Sequence, residues 1–174
     1  MKKFLPAVLG VVCGMSVFAQ TPRLSLYEEF TGETCPPCAA TNPALNALLA
    51  SPTNTPKIVA IKWQVPIPSA PSNTWSLYQT NKTEIDWRWK TTANGGYGYN
   101  PAINSAPSSK IDGREATVFG AASGHPANLN NNVIATAQSY TSAFAVTMNR
   151  AWDASGTAIN LTVNITASAN FTAT

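Results

Sequence analysis

Cys35 and Cys38, with Pro36 and Pro37 between them, are the sharpest chemical signal in this chain. Paired thiols at this spacing can ligate a metal, form a permanent disulfide, or exchange disulfides with a partner. Tetrahedral zinc needs two further ligands. Apart from Cys13 in the N-terminal apolar run, the chain offers one histidine, His125, and no other cysteine. A structural disulfide gains most from closing a long loop, and a ring this small removes little chain entropy. A redox dithiol remains, but spacing alone does not separate it from a permanent disulfide. The neighbouring elements must decide.

Leu24 to Phe30 reads as a strand with Leu24, Leu26 and Phe30 on one face. After Cys38, the run from Ala39 to Ala50 reads as a helix that groups Leu45, Leu48 and Leu49. The motif therefore falls where a strand feeds a helix N-terminus. Backbone N–H groups and the helix dipole at such a point favour an anion, and so stabilise the thiolate of the first cysteine. Lys57 to Trp63 reads as a second, buried strand with Ile58-Val-Ala-Ile61 as its core.

With these elements in place, Phe30-Thr-Gly-Glu-Thr-Cys-Pro-Pro-Cys38 resembles the strand-to-active-site segment of the thioredoxin-like superfamily. Pro43 falls where those proteins kink the active-site helix. Glu29, six residues before Cys35, matches their buried acid, which implies a proton acceptor for the second cysteine. Ser105-Ala-Pro-Ser108 followed by Lys110-Ile-Asp-Gly-Arg-Glu115 resembles their cis-proline and β-hairpin, with Pro107 as the cis residue. Asp112-Gly113 is a hairpin turn signal in its own right. A narrower similarity, from Glu28 to Cys38, from Pro107 to Arg114 and into a β-rich C-terminal region, is to the outer membrane protein 28 family of Bacteroidetes-type bacteria. Two departures stand out: Thr34 occupies the place where many thioredoxins carry Trp, and residues 64–96 form a long insertion. The resemblance implies that Ala106, Pro107 and Thr34 face the partner.

The insertion and the residues directly after it carry Trp75, Tyr78, Trp87, Trp89, Tyr97 and Tyr99. A helix from Asn73 to Trp89 is expected, and its aromatics either pack or form a groove for a peptide beside the dithiol. Gly95, Gly96 and Gly98 would let its end turn tightly. His125 precedes Pro126 and reads as the approach to a helix from Pro126 to Ser139 rather than as a catalytic base. Glu29 competes with a second reading as a surface or salt-bridged glutamate. Strand alternation puts it opposite Leu26 and Phe30, so its burial requires a sheet covered on both faces.

Beyond Tyr140 the period changes to alternation: Phe144, Val146 and Met148, a turn at Asp153–Gly156, then Ile159, Leu161, Val163 and Ile165. Two strands alone are marginal. The expectation is that residues 140–174 are the start of a truncated, sandwich-like β domain.

Composition narrows the setting. Of 174 residues 11% are charged, against roughly 25% in an average domain, so charge-driven disorder and a dense basic nucleic-acid surface are both excluded. Lys2 and Lys3, an apolar run from Phe4 to Phe18 and Val17-Phe18-Ala19 read as a signal peptide over residues 1–19. The run is too short for a permanent membrane span. Val12 before Cys13 argues against lipid attachment. Without that leader, 155 residues with a net charge of +1 remain, enough to bury a core unaided.

The expected fold class is α/β: a thioredoxin-like domain over 20–139 with an aromatic insertion, then a partial all-β extension. The expected function is an exported thiol–disulfide oxidoreductase of the periplasm or outer membrane, acting on protein disulfides or peptide segments without a cofactor. Cys35, exposed, attacks, and Cys38, more buried, resolves. Pro36 and Pro37 have no N–H, so the first donor within the motif that can reach the Cys35 sulfur is that of Cys38. With no His or Lys between the cysteines, a moderately reducing couple is expected. The competing reading is a cell-envelope binding protein on the same scaffold with a permanent Cys35–Cys38 disulfide.

Overall fold

The structure, a computed structural model, describes residues 23–91, 96, 98–99 and 103–167. The expected leader and part of the glycine-rich stretch, including Gly95 and Tyr97, lie outside the described residues. The chain divides into two compact units, one spanning Pro22–Thr141 and a second that includes Ser142–Thr174. The first is mixed α/β, and the second holds a small antiparallel sheet of its own.

In the first unit, β1 (Ser25–Thr31) leads through the dithiol into α1 (Pro36–Leu49), and the chain returns as β2 (Ile58–Gln64), parallel to β1. A long connection holds two short helices, α2 (Leu77–Thr80) and α3 (Lys82–Trp89). It ends at β3 (Ser108–Ile111), which runs antiparallel to β1, and β4 (Arg114–Glu115) follows. The four strands lie in the order β2-β1-β3-β4, so β1 is central. The turn between β3 and β4 has positive φ at both Asp112 (50°) and Gly113 (78°), the backbone that a two-residue hairpin with native strand twist requires. Asp112 adds a second function, since its carboxylate pairs with Arg23 and accepts from the Leu26 N–H at 2.8 Å.

Both faces of the sheet are covered, which explains why consecutive residues of β1 from Tyr27 to Thr31 are all buried whatever their parity. On one face Tyr27, Ile58 and Ile111 pack with Leu45 of α1, Phe119, and Val133, Ile134 and Ala137 of α4 (Asn131–Ser139). On the other, Phe30 packs with Val65, Tyr78, Ile85 and Ile103 of the long connection.

Several sequence expectations are corrected. Leu24 precedes β1 and is exposed. The expected buried core of β2 is buried at Ile58 alone, while Val59 and Ile61 are exposed. Here β2 is an edge strand, and the connection covers its outer face only from Trp63 onward. The single helix expected over 73–89 is two. Ser76 caps α2 by accepting from the Gln79 N–H at 2.9 Å, and Asn81 separates α2 from α3. At eight residues α3 is too short to persist alone. Asp86 stabilises it by pairing with Lys82 and Lys90, each one turn away, and accepting from Trp89 Nε1 at 3.0 Å. The helix expected over 126–139 also divides. His125 Nδ1 accepts from Ala127 N–H at 3.1 Å to cap a 3-10 turn at Pro126–Asn128, and Asn130 then caps α4 through the N–H groups of Asn132 and Val133.

In the second unit β5 (Phe144–Trp152) and β6 (Ile159–Ala167) form an antiparallel hairpin, with Val146 opposite Ile165 and Met148 opposite Val163. Alternation gives it one largely apolar face, interrupted by Arg150, and one of Thr, Asn and Ala. The turn is held by Asp153, which accepts from Thr157 N–H at 2.9 Å and Ala158 N–H at 3.2 Å.

Candidate functional site

The two prolines decide how α1 begins. Cys35 is its N-cap, and Pro36 and Pro37 fill the first two helical positions, where an N–H has no helical partner to lose. The first N–H left is that of Cys38, and it donates to Cys35 Sγ at 3.2 Å. A sulfur thus takes the part that a Ser or Asp oxygen commonly plays at this position. Cys35 and Cys38 are joined as a disulfide, with Cα atoms 5.3 Å apart. Pro43 lies inside α1, which continues through it to Leu49.

The expectation that Cys35 is exposed is corrected: it is 4% exposed and Cys38 1%. One loop lies against the pair and a second against the neighbouring Gly32. The carbonyl oxygen of Ala106 lies 3.5 Å from Cys35 Sγ, and the Ala106–Pro107 peptide that follows is cis. From the other side the connection after β2 folds onto Gly32. A Cβ at Gly32 would fall well inside contact distance of the Ile67 carbonyl oxygen and stand 3.3 Å from Cys35 Cβ. Because the obstacle is backbone, Gly32→Ala is expected to cost about 2 kcal/mol. Its urea midpoint should drop accordingly, and an unchanged midpoint would show that the loop yields freely.

Thr34, expected to face a partner, is exposed and donates its hydroxyl to the Ser69 carbonyl at 2.7 Å. Glu33 accepts from the Leu77 N–H at 2.5 Å. Both residues before the dithiol are therefore fastened to the long connection. Of the site residues singled out from sequence, Cys35, Cys38, Ala106 and Pro107 come together around the sulfurs, and Thr34 borders them.

Glu29 is fully buried on the α1 side of the sheet. The Lys62 ammonium lies 2.5 Å from its Oε2, yet neither carboxylate oxygen has an aligned hydrogen-bond donor. The pair is held by charge proximity rather than by directed bonding. Lys62 also donates to Asn42 Oδ1 at 3.1 Å, and Asn42 lies one turn after Cys38 on α1. Lys62 thereby links Glu29 to the helix that carries the dithiol.

Sequence reasoning passed over Glu28, on the opposite face and 1% exposed. Arg88 grips it with two bonds, at 2.6 and 2.5 Å, Trp63 Nε1 donates at 3.0 Å, and the Tyr99 hydroxyl also donates. Burial pushes the Glu28 carboxyl up, but the donors of Arg88, Tyr99 and Trp63 together outweigh it and hold the group below the ordinary carboxylate range. Burial, followed by the bond to Glu28, pushes the Tyr99 hydroxyl well above its usual value, so it stays a donor. No local pattern marks this cluster, because Glu28 and Arg88 are 60 residues apart.

Comparison with protein-family models, curated proteins and solved structures found no match to this chain.

Proposed function

We propose that this protein is a thiol–disulfide oxidoreductase on a thioredoxin-like scaffold, with Cys35 as nucleophile and Cys38 as resolving thiol. One observation carries the reading: a dithiol at the N-cap and third position of a helix, directly against the Ala106 carbonyl and a cis Pro107. The dithiol form attacks a partner disulfide through the Cys35 thiolate. The partner S–S bond breaks, a mixed disulfide forms, and one partner sulfur leaves and takes up a proton. Cys38 then attacks the Cys35 sulfur, which releases the second partner thiol and closes the Cys35–Cys38 disulfide. Two electrons have passed to the partner, and an external thiol donor returns the pair to the dithiol. Glu29 is the acid assigned to accept the Cys38 proton. Export through the leader over 1–19, to the periplasm or outer membrane, belongs to the same proposal.

The low exposure of Cys35 favours a second reading, a cell-envelope binding protein in which the disulfide is permanent. The reduction potential separates the two. With Cys38 N–H as the single backbone donor to the Cys35 sulfur among the described residues, the thiolate lacks the support that makes strong oxidants. A moderately reducing value, nearer about −270 than about −120 mV, is expected when the pair is equilibrated with thiol buffers, alkylated and weighed. A value below about −300 mV with slow exchange is the range of structural disulfides and would select the second reading.

A further inference from the structure

The aromatics of the long connection divide in two. Tyr78, Trp89 and Tyr99 pack against the sheet core, whereas Trp75 is 89% exposed, the most exposed large apolar side chain among those described. Its backbone is nevertheless well fixed. Trp75 N–H donates to Asn73 Oδ1 at 2.9 Å, Ser76 N–H to the Asn73 carbonyl at 3.1 Å, and Gln79 Nε2 to the Pro71 carbonyl at 2.9 Å. The turn is also tied to the dithiol: Leu77, two residues on, is held through its N–H by Glu33, two residues before Cys35. Leu77 is itself 58% exposed, and Pro36 and Pro37 of the motif are exposed.

We propose that Trp75 captures an apolar side chain of the polypeptide whose disulfide exchanges with Cys35–Cys38, so that the favoured partner is an unfolded or extended segment rather than a small disulfide. The proposal rests on the thiol-exchange reading. An indole on a pre-fixed backbone offers a large apolar area and loses little freedom when covered, which is the character of an interface anchor. The route from Trp75 through Leu77 and the Glu33 side chain to Cys35 keeps the Trp75 backbone within about 20 Å of the Cys35 backbone at ~3.3 Å per residue. A strand of about five or six residues covers that span. The partner's aromatic or aliphatic side chain therefore belongs within about six residues of its reacting cysteine. Thr34 is turned to Ser69, and Trp75 with Leu77 supplies the exposed apolar surface of the turn that Glu33 holds.

The test uses the reduced protein and ten-residue peptides, each with one cysteine in mixed disulfide with thionitrobenzoate and with Phe or Ser five residues away. The symmetrical disulfide of thionitrobenzoate is the small reference. In the wild type, the second-order rate constant relative to that reference should be about tenfold higher for the Phe peptide than for the Ser peptide. Trp75→Ala should remove this preference, and Trp75→Phe should restore most of it. Equal ratios for the two peptides, or a preference that survives Trp75→Ala, would overturn the proposal. If the wild type reacts with neither the peptides nor the reference, the exchange reading itself fails. Polarisation of a labelled Phe peptide with Ser for Cys then decides on capture. Binding weakened about tenfold by Trp75→Ala upholds it, and absence of binding to the wild type overturns it.

Discussion

Cys35→Ser is expected to abolish reduction of a protein disulfide, by about a thousandfold or more, because disulfide exchange needs a thiolate and a serine hydroxyl is not ionised near neutral pH. Cys38→Ser should behave differently. It keeps the attacking sulfur and loses the resolving one, so the mixed disulfide should accumulate to one equivalent and stop. The asymmetry follows from α1. Cys35 lies outside the helix as its cap and receives the Cys38 N–H, whereas Cys38 is committed to the first turn and is the more buried. Turnover of insulin disulfides with a thiol donor, together with mass analysis of trapped intermediates, reads both variants. Retained turnover in Cys35→Ser, or no trapping through Cys35 in Cys38→Ser, would remove the nucleophile assignment.

The parts of this arrangement that were legible in the sequence are those written in local periods. The strand before the motif, the helix after it and the Asp112-Gly113 turn each announce themselves within a dozen residues. Even the cap was readable, because two prolines leave one donor within reach of the Cys35 sulfur. What failed depended on distant neighbours. Ile58-Val-Ala-Ile61 has the composition of a buried strand, but burial at Val59 and Ile61 needs a covering layer that the connection supplies only beyond them. The exposure assigned to Cys35 failed for the converse reason, since Ala106 arrives at its sulfur from a loop 71 residues further along and the connection at Ile67 closes on the nearby Gly32. Asn130 was a visible cap signal within the helix expected over 126–139, and the longer apolar period obscured it. Between the adjacent acids Glu28 and Glu29, sequence could weigh only spacing from Cys35. Glu29 is buried beside Lys62 as a two-sided sheet requires, while Glu28 became the centre of a larger network through Arg88 and Tyr99.

That network carries the second large effect. Glu28→Ala would leave the Arg88 guanidinium, the Trp63 N–H and the Tyr99 hydroxyl without their shared acceptor. Removing one partner of a buried pair costs about 3–5 kcal/mol. The Arg88 side chain is 23% exposed and can recover some hydration, so about 3 kcal/mol is expected, or a fall in Tm near 10 °C for a chain of this size. The loss should reach the dithiol as well, because Arg88 and Tyr99 help seat the connection that closes over Gly32 and Cys35. Cys35 in Glu28→Ala should therefore react faster with a small alkylating reagent after reduction. Acid provides the sign. The folded Glu28 carboxyl is held below its unfolded value near 4.3, so its contribution is complete above that pH and is lost as pH falls through the folded value. The stability gap between wild type and Glu28→Gln, taken from urea unfolding, should be widest near neutrality and narrow as pH is lowered from 5 toward 3. A gap that stays constant or widens in acid would show that Glu28 is held by packing rather than by its charge.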